Sequence, residues 1–76
     1  MNTSKTYRIV LRKEAEGAYT AMVPALPGCI TWGENIDHAL AMAKEAIEGY
    51  IEVLKEEGES VPDDNDTLEY SLQLTT

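Results

Sequence analysis

Apolar side chains recur at helical spacing over residues 35–58. At about 100° per residue, Ile36, Leu40, Ala43, Ile47, Tyr50, Ile51 and Leu54 share one stripe, the pattern of an amphipathic helix lying on a core. His38, Glu45, Glu48, Glu52 and Glu56 take the opposite side, and Ala39, Met42, Ala46 and Val53 form an apolar shoulder beside the stripe. Asn35 suits the N-cap because its short side chain accepts from an amide two or three residues on, and Glu34 and Asp37 favour the positive end of the helix dipole. Gly58, with Pro62 beyond it, ends the helix.

Elsewhere the period is two. Tyr7, Ile9 and Leu11 oppose Arg8, Val10 and Arg12 over residues 7–13, which predicts a first strand. Glu14-Ala15-Glu16-Gly17 reads as a hairpin loop, and residues 18–23 alternate again until Pro24 ends the pairing. A proline-glycine turn, Pro24 to Gly28, leads to a short third strand, 29–32, and Gly33 releases the chain into the helix. After a polar connection, Leu68, Tyr70, Leu72 and Leu74 alternate with Glu69, Ser71 and Gln73, which predicts a fourth strand.

The expected fold class is therefore α+β, in the order β-β-β-α-β. A helix between strands three and four lets the fourth return parallel to the first, giving a four-stranded mixed sheet of order 3-2-1-4 with the helix on one face. Arg8, Val10, Arg12, Thr20 and Met22 would line the other face, either solvated or covered by another subunit. Uncovered face and free strand edges together point to self-association.

At 76 residues the chain reads as one domain, 1–76, with a core small enough that oligomerisation is the expected further source of stability. Fourteen acidic residues against 6 basic ones give a formal charge of −8, which repels nucleic acid and anionic lipid. That charge either keeps a small domain soluble or suits a basic partner. Cys29 is the only cysteine, so no intrachain disulfide forms and a reducing, cytoplasmic setting fits. Residues 1–6 are polar, unlike a signal peptide, and no apolar run approaches the roughly 20 residues that span a bilayer.

Candidate chemistry is sparse. His38 is the only histidine and falls on the polar side of the helix, while Cys29 reads as a small buried thiol. Asp63, Asp64 and Asp66 are the densest carboxylate cluster, but the segment lacks the central glycine of a calcium loop and reads as a solvated turn. Trp32 reads as a core or core-edge side chain or as an interface anchor. The expectation is a protein with no catalytic set, no metal and no cofactor. The strand-helix order is similar to the first part of a ribonuclease-H-like fold, whose nucleases place a metal-binding carboxylate on the first strand; residues 7–12 offer none.

The segment Val23-Pro24-Ala25-Leu26-Pro27-Gly28-Cys29-Ile30-Thr31-Trp32-Gly33, followed by Ala39-Leu40, Ala43, Glu45-Ala46, Gly58 and Val61-Pro62, resembles the N-terminal domain of HicB antitoxins. The resemblance runs from Tyr7 to about Leu74. It implies a partial ribonuclease-H-like fold without catalysis, an antitoxin that covers HicA, a small basic mRNA-cleaving toxin, and a homo-oligomer, dimer or tetramer. The alternative is an orphan homo-oligomeric interaction module with no toxin. Many HicB proteins continue into a DNA-binding domain, which the sequence up to Thr76 does not show, so no direct DNA contact is expected. His38 stands where an acidic residue often precedes the Ala-Leu pair. The family supplies no fixed toxin-contact motif, so charge and exposure nominate Glu45, Glu48, Glu52, Glu56, Met42 and Val53 as partner-binding residues. This surface would face solvent, a second subunit or the toxin.

Overall fold

The computed structural model describes residues 4–75; residues 1–3 of the polar N-terminal stretch, and Thr76, lie outside the described residues. Strands β1 (Val10–Lys13), β2 (Tyr19–Met22) and β3 (Ile30–Gly33) precede helix α1 (Ile36–Glu56). The sheet is antiparallel in the order β1-β2-β3, with Leu11 opposite Ala21 and Ala21 opposite Thr31. A 3-10 turn, Ala15–Gly17, joins β1 to β2. Both Glu16 (φ 64°) and Gly17 (φ 82°) are left-handed there, a conformation glycine adopts freely and glutamate does not.

Local chemistry explains both ends of α1. The Asn35 Oδ1 accepts from the His38 amide at 2.8 Å, and the His38 Nδ1 accepts in return from the Glu34 amide at 3.0 Å, so two amides at the helix start are satisfied reciprocally. At the other end Gly58 is left-handed (φ 71°), with its amide on the Lys55 carbonyl and the Glu59 amide on the Leu54 carbonyl. This is the paired closure of a Schellman cap.

Two clusters make the core. In the first, Ala21, Ala39 and Ala43 bring the helix backbone close to the sheet, flanked by Ile9, Leu11 and Tyr19. In the second, Val23, Leu26, Cys29 and Ile47 pack with Tyr7, Ala46, Tyr50, Ile51 and Leu54 around them. Leu26 is the largest fully buried side chain, although it sits in the turn between β2 and β3. The Val23 and Cys29 main chains close that turn, and Leu26 bonds to both. The Tyr50 hydroxyl donates to the Pro27 carbonyl at 2.9 Å and ties the turn to α1.

The α+β class holds, but the four-stranded mixed sheet of order 3-2-1-4 does not. The sheet has three strands, and residues 68–74 belong to no ladder. Its edge beside β1 is occupied differently. The Arg8 amide donates to the Asp64 carboxylate at 2.7 Å and the Thr6 amide to the Asn65 side chain at 2.9 Å, so side-chain oxygens take what a strand's carbonyls would have taken. A turn closed by the Thr67 amide on the Asp64 carbonyl then leads the chain away. Asp64, expected to be solvated, is consequently buried. Ile36 and Leu40, expected to face the core, are exposed.

Candidate protein-binding surface

The carboxylates nominated from sequence fall on the outward side of α1. Glu45, Glu48, Glu52 and Glu56 are all exposed, and the helix holds successive ones about one turn apart. Among the described residues the ion pairs are Lys5 with Asp63 and Arg8 with Glu69, so these four carry no internal cation. Of the apolar shoulder, Met42 and Val53 are exposed beside them, while Ala39 is fully buried.

Only Val53 of that pair enters a concavity. Val53, Ala46, Tyr50 and Leu54 of α1 face Cys29 and Ile30 across an open, mostly apolar groove of about 510 Å³, with Glu57 and Glu59 on its rim. Burial raises the Cys29 thiol pKa above its ordinary value, so the thiol at this groove is kept protonated and a poor nucleophile. Among the described residues no group of three His, Cys, Asp or Glu side chains is placed to hold a metal ion. No helix there is long and apolar enough to cross a membrane.

A second surface lies on the sheet face to which alternation assigned Val10, Arg12, Thr20 and Met22, and the structure adds Ile30 and Trp32 to it. Cross-strand pairing puts Val10, Met22 and Ile30 in one row and Arg12, Thr20 and Trp32 in the next, all on the sheet face away from α1. Trp32 is 53% exposed, and with Glu14, Glu16 and Glu34 it lines a recess of about 400 Å³ at the hairpin end. An aromatic ringed by carboxylates accepts a cationic side chain through both charge and the ring face. Gly33 gave the available signal, because a side-chain-free residue pressed on the helix fixes Trp32, one residue earlier, to the opposite face.

Residues 7–74 match the family described as the HicB-like antitoxin of bacterial toxin-antitoxin systems. The chain belongs to that family. The chain is also similar to a UPF0150 protein of Thermoplasma acidophilum, 48% identical over 59 residues that cover 78% of this chain and 86% of the relative. A UPF0150 protein of Archaeoglobus fulgidus is 44% identical over 57 residues, 72% of this chain and 83% of the relative. Among solved structures, the crystal structure of the N-terminal domain of the Burkholderia pseudomallei antitoxin HicB superposes with a TM-score of 0.66 at 34% identity, covering 90% of this chain and 72% of that one. Membership in an antitoxin family of toxin-antitoxin systems implies a toxin as the class of partner and points to a non-enzymatic role.

For a HicB-like antitoxin the placement of the family-like segment is informative. Residues 23–33 build the plugged turn and β3, with Val23, Leu26 and Cys29 in the core and Pro27 held by Tyr50. The buried part of the motif therefore makes the scaffold, while its exposed Trp32 and the charged helix side are what the scaffold displays.

Proposed function

We propose that this antitoxin neutralises a small basic mRNA-cleaving toxin of the HicA type, in the cytoplasm, by laying its acidic surface over the toxin's RNA-binding face. The carrying observation is the row of exposed carboxylates on α1, Glu45, Glu48, Glu52 and Glu56, with no ion-pair partner among the described residues. A surface that binds RNA phosphates presents cations, and unpaired carboxylates at helical spacing offer those cations substitute anions. Met42 and Val53 supply apolar contact beside these carboxylates on the same helix. The action is occlusion, with no turnover.

The test is to co-express the chain with the small basic reading frame beside its gene and to measure affinity of the purified pair as salt rises. The expected result is a complex that inhibits the toxin's RNA cleavage and weakens with salt. No complex, or an affinity indifferent to salt, overturns the reading. We also infer that the chain self-associates, because the apolar side chains of residues 68–74 are left exposed. If it bound only itself, the orphan homo-oligomeric module would replace the antitoxin reading.

A further inference from the structure

Strand β3 pairs with β2 on one side and has no strand neighbour on the other among the described residues. The Val23 amide donates to the Cys29 carbonyl at 3.0 Å, which continues the β2–β3 register as a hydrogen-bonded pair. Bonded and non-bonded pairs alternate in an antiparallel ladder, so Ala21 with Thr31 and Tyr19 with Gly33 are the next bonded pairs. Ile30 and Trp32 therefore turn their amides and carbonyls outward. Among the described residues no turn or loop carbonyl takes either amide.

The open groove between α1 and β3 follows that edge. The Ile30 side chain belongs to the sheet face away from α1, so its place on the groove wall puts the groove at the border of the sheet and not beneath it. Tyr50 and Val53 stand on the helix wall, and Gly49 leaves part of that wall without a side chain. Ile30 is 59% exposed and Val53 51%, so both walls offer apolar surface to water. Glu57 and Glu59 on the rim are exposed and enter no ion pair among the described residues. Unpaired main-chain groups beside an apolar groove make a strand-addition site, in which the backbone gives affinity and the groove selects alternate side chains.

We propose that an extended segment of the toxin adds to the free edge of β3, seating an apolar side chain over Gly49 between Ile30 and Val53 and a lysine or arginine at Glu57 and Glu59. Charge decides the occupant. A second copy would bring a further formal charge of −8 to this acidic rim, whereas a basic segment neutralises it. Val53 borders both the groove and the helix side that carries Glu45, Glu48, Glu52 and Glu56, so one partner can span the two. The strand addition rests on the toxin-binding reading above and gives that contact its register.

The experiment compares amide hydrogen exchange in the full chain alone and in its complex with the product of the small basic reading frame beside its gene. On binding, the Ile30 and Trp32 amides should slow about tenfold or more, while those of Thr31 and Gly33, already bonded to β2, should change little. Gly49→Leu fills the groove from the helix side. A Cβ at Gly49 meets nothing within 4 Å and leucine is a good helix former, so the fold is kept and affinity should fall about tenfold or more. Unchanged exchange at Ile30 and Trp32, or a Gly49→Leu chain that binds as tightly as wild type, overturns the strand addition and leaves the toxin reading standing. Slow exchange at both amides in the chain alone shows the edge already filled and also overturns it. A wild-type chain that forms no complex overturns the toxin reading and the strand addition together.

Discussion

Gly33 lies directly beneath Ala39: a Cβ at Gly33 would sit 2.2 Å from the Ala39 amide nitrogen and 2.5 Å from its Cα. Both atoms belong to the backbone of the first turn of α1, which Asn35 and His38 hold in place from the other side. Neither side of that contact can yield by rotating a side chain. The helix therefore meets β3 at a distance that only glycine on one side and alanine on the other allow.

Gly33→Ala is expected to lift the start of α1 from the sheet and to cost at least the roughly 1–3 kcal/mol of ordinary overpacking. Gly49→Ala runs the other way. Gly49 is within α1 and a Cβ there meets nothing within 4 Å, so the substitution should stabilise by about 0.5–1 kcal/mol through helix propensity. Denaturant unfolding of the two variants checks both signs.

Leu26→Ala removes the one large side chain that is fully buried, in a turn held by three backbone hydrogen bonds that keep the site from collapsing. The expected loss is about 2–5 kcal/mol, a large part of the stability of a domain this size. Thermal unfolding should show a much lowered midpoint, and the Cys29 thiol, buried against Leu26, should become open to alkylation.

Asp64→Ala leaves the Arg8 amide without its acceptor in a part-buried position. The expected cost is about 1–3 kcal/mol, the penalty of an orphaned donor. Hydrogen exchange locates the effect: the Arg8 amide should lose protection while amides of α1 keep theirs.

Tyr7 couples stability to alkaline pH. Its pKa is raised, first by burial and then by the nearby Asp63 and Asp64 carboxylates, and its hydroxyl donates to the Pro62 carbonyl at 2.7 Å. A raised value in the fold means that the contribution is whole below the unfolded pKa of about 10 and is lost as pH climbs through the folded value. Unfolding free energy should therefore fall above about pH 10 in the wild type and fall less in Tyr7→Phe, which keeps the ring and has no proton to lose.

How far sequence reading reached follows the range of the forces involved. The helix and its caps depend on side chains within a few residues, Asn35 with His38 and Gly58 with Lys55, and periodicity and cap chemistry read them directly. The hairpin pairing of β1 with β2 is similarly local. Residues 68–74 alternate as well as any strand, but alternation describes one face of a segment and says nothing about its partner. Asp64 decides that, by reaching an amide 56 residues away in sequence. At the candidate surface, the exposure of the helix carboxylates was legible because solvent sits opposite the apolar stripe, whereas the wheel left open which shoulder residues are covered, and Ala39 is buried while Met42 and Val53 are exposed. The exposure of Trp32 was not legible, because it depends on which face of β3 the helix covers, and that is fixed by the fit of Gly33 against Ala39.

The burial of Leu26 bears on how partner choice can be inherited within the family. A side chain with no exposed area cannot touch a toxin, so Leu26 carries no information about which toxin is bound, whereas Pro24, Pro27 and Gly28 beside it are exposed. Exchanging Leu26 for another large apolar residue should leave the choice of toxin unchanged, and recognition can diverge between relatives while this buried side chain stays the same.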